Sequence, residues 1–256
     1  VPAGILKDIS LIDAYLNLAE IYRLTHRPSL SQSWVQKALR LQKEDNDYSK
    51  ARSYLELGGI ALEAKKYEQA LSAYQRALEC TKARVSYASS HPRIGLCWEN
   101  IGRTHRQAGR LSEALAAFQK GLQTLSVGFT SDSIIHNPSI DQLLSLREGF
   151  TILLEKAQTL KLLFVLTQRQ GDLEASLVCY LELAELIEQV RSNFGTESSK
   201  LFLSQRTRQA WEEGLGVATQ LYRKTKKTKY LNTVFSFMQR SKAVVMKEML
   251  ASSRAL

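Results

Sequence analysis

The chain has 256 residues, is 44% hydrophobic and 23% charged, and carries a formal net charge of +10. No run approaches the roughly 18 consecutive apolar residues of a membrane span, and the opening VPAGILKDIS lacks the basic-then-apolar order of a secretory signal. Cys80, Cys97 and Cys179 form an odd, widely spaced set, which argues against a disulfide framework and for a reducing, cytoplasmic setting.

The first residue is Val rather than Met, so the chain reads as a piece of something longer or as a processed product. Only four prolines and 13 glycines punctuate it, and Val, Ile and Thr never build long alternating runs, so the expected class is all-α. Charge is uneven. Residues 1–197 carry 23 basic and 22 acidic side chains, whereas residues 198–256 carry 12 basic and 3 acidic ones.

Helical pairs appear in chain order. Counting from Ile12 as position 1 puts Tyr15 at 4, Leu18 at 7, Ala19 at 8, Tyr22 at 11, Ser31 at 20, Val35 at 24 and Ala38 at 27. THRPS reads as the turn between the two helices, and Ser29 or Ser31 can cap the second. Counting from Ala51 puts Tyr54 at 4, Leu57 at 7, Gly58 at 8, Ala70 at 20, Tyr74 at 24 and Ala77 at 27. Counting from Gly95 gives Trp98, Ile101, Gly102, Ala114, Phe118 and Gly121 at the same six places. The pattern resembles the tetratricopeptide repeat, a unit of about 34 residues. Small residues at 8 and 20 are expected to let the two backbones cross closely, with the bulky positions filling the space on either side. Gly58 follows Ala19 by 39 residues and Gly102 follows Gly58 by 44, the surplus falling in KEDND and KARVSYASSHPR, as in the expanded repeats of some signalling scaffolds.

Beyond residue 125 the unit blurs. VGFTSDSIIHNPS (127–139) reads as a loop. One long helical stretch is expected from Ser139 to Gln170, broken at Gly171-Asp172, with a partner helix over about 173–193. A third runs from about Ser198 to Lys224, and KKTKY links it to a last one over about 228–252. Ala175 and Ser176 compete for position 20, so the register stays open. The expected architecture is a right-handed α-solenoid of about five antiparallel pairs. Residues 1–125 form three tetratricopeptide-like pairs, 126–138 a loop, and 139–256 two longer, degenerate pairs continuing the same solenoid.

The second half resembles something narrower. NPSIDQLLS, LLEKAQTLKLLF, the run from RQGDLEASLVCY to RSNFGTESSKLFLSQ, and FSFMQRSKAVVMKEML occur in the order found before the caspase-like domain of bacterial TPR-CHAT proteins. That resemblance covers roughly residues 50–256, with Ser241-Lys242-Ala243 matching its closing helix. It implies a protease-like domain downstream, carrying the catalytic His and Cys, and a regulatory role for the helices present here.

No chemistry of the chain's own is expected. Cys97 and His105 fall two turns apart and offset in angle on one helix, so they do not pair as nucleophile and base. No Cys-x-x-Cys or His-x-x-x-His offers a metal site, LGG and GLG lie inside helical patterns without a preceding strand, and Glu212-Glu213 reads as a solvated face. No cofactor, metal or membrane is expected.

Binding is another matter. Positions 2, 5, 9, 12 and 13 of the first helices face the inner groove of such arrays. They give Asp13, Leu16, Glu20, Arg23 and Leu24, then Arg52, Leu55, Gly59, Leu62 and Glu63, then Leu96, Glu99, Arg103, Arg106 and Gln107. Arg52, Leu55, Leu62, Glu99, Arg103, Arg106 and Gln107 are the candidate groove residues for a protein or peptide, unless they form only a solvated face. Arg103 and Arg106, one turn apart, are expected to meet a carboxylate or phosphate. Exchanging both for glutamate is expected to abolish acidic-peptide binding without lowering thermal stability. The Lys-and-Asn clamp for chaperone tails is absent. Arg223, Lys224, Lys226, Lys227 and Lys229 form a basic patch, suited to an acidic neighbouring domain or, alternatively, to nucleic acid.

Overall fold

A computed structural model describes residues 3–42, 47–84, 91–193 and 197–253, with side-chain positions for 11–42, 49–83, 91–190 and 206–240. Residues 43–46 of the linker KEDND, residues 85–90 of KARVSYASSHPR, and the side chains of RSNFGTESSKLFLSQ and of RSKAVVMKEML after Arg240 lie outside that description. Among the described residues the regular elements are helical. The chain divides into two compact units, Val1–Thr130 and Ser131–Leu256.

Unit 1 holds α1 (Ala3–Leu24), α2 (Pro28–Leu41), α3 (Asp47–Glu63), α4 (Tyr67–Arg84), α5 (Pro92–Gln107) and α6 (Leu111–Thr124). They pair as three hairpins, α1 with α2, α3 with α4, and α5 with α6, and α3 also packs on α1 and α2. Each hairpin turn has one residue in the left-handed region: His26 (φ 56°), Lys65 (φ 56°) and Gly109 (φ 78°). This is a Schellman closure: the next amide reaches back five residues, Arg27 N to Tyr22 O at 2.8 Å, Lys66 N to Ala61 O at 2.9 Å and Arg110 N to His105 O at 2.9 Å. Arg27 therefore becomes the N-cap of α2 with Pro28 at its first position, and neither Ser29 nor Ser31 caps that helix as the sequence had led us to expect. Two of the three turns place a side chain where glycine is cheapest, at a cost of about 1 kcal/mol. Lys65→Gly should stabilise the protein by about 0.5–1 kcal/mol in urea unfolding, and Gly109→Ala should cost a similar amount.

The small residues explain the hairpins, first of all as room for a ring. A Cβ added at Gly58 would stand 2.6 Å from Cδ1 and 2.7 Å from Cζ of Tyr74; one at Gly102 would stand 2.5 Å from Cε1 and 2.7 Å from Cδ1 of Phe118. The nearest atoms at position 8 thus belong to the aromatic ring at position 24, and Ala70 and Ala114 are not among them. The glycine is a seat for a ring. Tyr74 and Phe118 are correspondingly buried, and Ala70, Ala77 and Ala114 are sealed beneath them. The first hairpin uses a variant: Ala19 is paired with Val35, and the Ser31 hydroxyl donates to the Ala19 carbonyl at 2.7 Å.

Unit 2 opens with irregular chain and a 3-10 turn, Ile140–Gln142, closed by a reciprocal capping box between Ser139 and Gln142. The long helix starts later than expected: α7 spans Leu146–Thr167, because Leu143 leaves the helical path and folds against Gly149, where a Cβ would lie 2.8 Å from its Cδ1. Then come α8 (Gln170–Asn193), α9 (Glu197–Thr225) and α10 (Thr228–Ser253), with α7 on α8, α8 on α9, and α9 on α10. The break expected at Gly171-Asp172 falls at Gln168 (φ 58°), and Lys226 (φ 56°) turns α9 into α10.

The register left open by the sequence is resolved by one hydrogen bond. The Ser176 hydroxyl donates to the Ala157 carbonyl at 2.8 Å, the same contact that Ser31 makes with Ala19, but across 19 residues rather than 12. Tyr180 then stands 23 residues after Ala157, as Phe237 does after Gly214, where an added Cβ would lie 3.0 Å from the Phe237 ring. In unit 1 the corresponding separation is 16, from Gly58 to Tyr74 and from Gly102 to Phe118. The seven surplus residues lie between crossing and turn, lengthening each helix by about one turn of 5 Å while keeping its faces in phase.

Candidate ligand-binding groove

The first helices of unit 1 converge on a recess of about 130 Å³, lined by Arg23 of α1, Gly59, Leu62 and Glu63 of α3, Tyr74 of α4, and Asn100, Arg103 and Gln107 of α5. Gly59 keeps it open: a Cβ there would meet Arg23 Nε at 3.0 Å. The floor is apolar, since Leu62 is buried in the cluster that contains Tyr74, Cys97 and Ile101, and Leu55 packs half-buried against the same cluster. Leu16 is wholly buried and belongs to the core.

The rim is charged and cross-tied. Arg23 Nε donates to Glu56 at 3.0 Å and its NH1 to Glu63 at 2.8 Å. Burial opposes the Arg23 charge, but the two carboxylates more than offset it and raise the guanidinium pKa. Burial likewise pushes the Glu56 carboxyl above its ordinary range despite Arg23. Arg52 bonds Asp13 at 3.0 Å and also Asn17, tying α3 to α1. Arg103 NH1 lies 3.9 Å from Glu99, whose side chain is only 7% exposed. Glutamate at 103 would set two carboxylates together at a buried site, so the double exchange to glutamate is expected to cost stability after all, and glutamine is the better probe. Arg106 is half-buried with its Nε sealed from solvent, and Gln107 is exposed at the mouth.

Arg23, Glu63, Arg103 and Gln107 follow from the inner-face positions. Tyr74 and Asn100 do not, because position 24 reads as core and position 6 as a side wall. Their signal was available: the glycine at 58 leaves Tyr74 leaning across its own hairpin towards the recess.

Reactive groups are placed for structure. Burial pushes the Cys97 thiol up to about 12, with a Thr81 hydrogen bond pulling weakly the other way. His91 caps α5, its Nδ1 accepting from Arg93 N at 3.2 Å, and the His105 pKa is lowered by burial and by Arg110. In unit 2 the fully buried Lys156 donates to His136 O at 3.0 Å and Asn137 Oδ1 at 2.8 Å, pinning the chain before the 3-10 turn onto α7. No group of three or more His, Cys, Asp or Glu among the described residues is arranged to hold a metal ion. No helix of the described residues is long and apolar enough to cross a membrane.

The basic patch sits at one end of unit 2. Lys224 Nζ donates to Gln168 O at 3.3 Å and lies 4.8 Å from the Phe164 ring centre, bringing the α9–α10 turn against the α7–α8 turn. Lys226 faces Tyr222 at 5.8 Å and Lys229 faces Tyr230 at 4.7 Å, while Arg223 and Lys227 are exposed.

Hairpins with ring seats and a groove lined by their first helices define a helical-repeat scaffold. The family model of the tetratricopeptide repeat matches residues 10–83 and 51–125, the stretch that holds the three hairpins of unit 1. Among curated relatives, the type IV pilus assembly protein PilF of Pseudomonas aeruginosa is 30% identical over 116 residues, covering 45% of this chain and 41% of that protein. Response regulator aspartate phosphatase I of Bacillus subtilis is 23% identical over 118 residues, 44% of this chain and 30% of that protein. The chain thus spans less than half the length of either. The crystal structure of BtubC (BKLC) from P. vanneervenii shares the fold at 13% identity, with a TM-score of 0.60 over 93% of this chain and 83% of that one. A Podosopora anserina kinesin light chain with nearly identical TPR-like repeats gives a TM-score of 0.56 at 12% identity, over 90% of this chain and 96% of its own. These two likenesses concern the fold.

Proposed function

We propose that this protein is a non-catalytic interaction scaffold whose unit 1 groove binds a peptide or helix bearing carboxylates. The observation that carries the proposal is the convergence of side chains from three successive first helices, with Arg103, Asn100 and Gln107 over an apolar Leu62 floor. Tetratricopeptide arrays present such concave faces to partners, and a mixed rim of guanidinium and amide groups suits carboxylates on an otherwise apolar ligand.

The groove is tested with a fluorescein-labelled acidic peptide and fluorescence anisotropy. Arg106→Gln combined with Arg103→Gln is expected to weaken binding by about tenfold or more. Unchanged affinity in the double variant would discard the groove assignment.

The finer part of the proposal is an adjacent caspase-like (CHAT) effector domain, regulated by or recruited to these helices, against which α9 and α10 dock through Arg223, Lys224, Lys226, Lys227 and Lys229. It rests on the resemblance of the segments from RQGDLEASLVCY to SKAVVMKEML, and on a patch whose basic residues are mostly exposed. The same patch supports a second reading, a nucleic-acid-associated scaffold. Electrophoretic mobility shift at two salt concentrations separates them: retardation of RNA or DNA that weakens steeply with salt favours nucleic acid, and no shift at low salt removes it.

A further inference from the structure

Unit 2 carries two exposed apolar stripes, each continued by charge of opposite sign. On α7, Leu162, Val165 and Leu166 are 45%, 57% and 74% exposed. Their spacing of three and four residues puts them on one face of the helix. Arg169 lies in the turn that follows the helix, next to Gln168, and the exposed Arg223 and Lys227 flank the α9–α10 turn that Lys224 holds against Gln168. On α8, Val178 and Leu181 are 40% and 38% exposed. One turn further along the same face come Glu182 and Glu185, which line an open cleft of about 510 Å³ together with Asp141. Burial and the neighbouring Glu185 raise the Glu182 pKa, and no ion pair joins either glutamate to a cation among the described residues. An approaching cation would relieve that repulsion.

We infer that the α7 stripe with its basic end docks the α8 stripe with its acidic end on a second copy of this chain. Apolar residues meet apolar ones, and Arg169 and its neighbours meet Glu182, Glu185 and Asp141. The two patches differ, so the contact is head-to-tail, and an open assembly keeps one unused face of each kind, one at either end, until a ring closes or a filament grows. A membrane fits the α7 surface less well: the charges occupy the turn and the apolar side chains lie behind them along the helix flank, an order suited to helix-on-helix contact. Five apolar side chains make a small interface, so association in the micromolar range is expected, weakening with salt.

The test uses the whole chain in sedimentation velocity at low salt. Wild type should show a weight-average mass that rises with concentration past the dimer. Leu166→Asp, which removes one face, and Val178→Asp with Glu185→Lys, which removes the other, should each stay monomeric. Mixed in equal amounts, the two variants should form a dimer that grows no further, since each supplies the face the other lacks. Three results would each overturn the inference. Wild type could remain monomeric at about 100 µM, far above the expected micromolar Kd. The variant mixture could remain monomeric. Phosphatidylserine vesicles could sediment a wild-type protein that does not self-associate, which would assign the α7 face to a lipid surface. Arg103→Gln leaves all of these masses unchanged, so the outcome is separate from that of the groove.

Discussion

Replacing Gly102 by alanine should destabilise unit 1 by about 1–3 kcal/mol, the range for overpacking a well-filled core. The sign is the informative part. Alanine in a helix interior ordinarily gains about 0.5–1 kcal/mol over glycine. Here its Cβ would stand 2.5–2.9 Å from three atoms of the Phe118 ring. Phe118 is wholly buried, so its ring cannot swing out into solvent to make room. Gly58→Ala against Tyr74 should behave alike. Gly171→Ala, in the first turn of α8 with open space where its Cβ would go, should be neutral or mildly stabilising. Urea unfolding followed by tryptophan fluorescence measures all three.

The second large effect is a pH dependence carried by Lys156. Burial lowers its pKa to about 8 from an ordinary 10.5. Between those values the unfolded chain binds more protons at this site than the folded one, so stability rises with pH, by up to about 1.4 kcal/mol per unit and about 3 kcal/mol in all. The contribution is complete above 10.5 and is lost as pH falls through about 8. Cys179 faces the same amine; burial raises its thiol pKa above the ordinary 9.0, which subtracts stability at higher pH. Burial raises the Cys97 thiol as well, so both thiols subtract stability as pH approaches 9, and it is the difference between wild type and Lys156→Met, in which both thiols remain, that isolates the lysine. Lys156→Met should flatten the stability-versus-pH curve there; an unchanged slope would mean that the amine is not held in the site described.

Unit 1 was legible because its repeats keep standard spacing: Gly58 with Tyr74 and Gly102 with Phe118 lie 16 residues apart, and apolar residues fill position 7. Unit 2 was not, for two physical reasons. Its hairpins are one turn longer per helix, so small residue and ring are 23 apart and a 34-residue template loses phase. Its position 7 also carries charge, Lys156 in α7 and Glu213 in α9, where unit 1 has Leu57 and Ile101. Both are satisfied by specific partners, Lys156 by His136 and Asn137, and Glu213 by the hydroxyl of Tyr180 at 2.8 Å and the amide of Gln158 at 3.0 Å. A buried charge of this kind is identified by its partners, which sequence spacing does not reveal.

The groove was legible in part. Inner-face counting found Arg23, Glu63, Arg103 and Gln107, which depend only on helix periodicity. It missed the cross-ties, Arg23 with Glu56 and Arg52 with Asp13, because each joins helices from different repeats.

The double-mutant cycle between Gly102 and Phe118 tests the ring-seat account most directly. Gly102→Ala should cost about 1–3 kcal/mol beside Phe118, and little or nothing once Phe118→Leu has removed the ring, giving a coupling of at least about 1 kcal/mol. Equal costs in both backgrounds would show that the glycine serves something other than the aromatic side chain opposite it, and the reading of every hairpin in the protein would have to change.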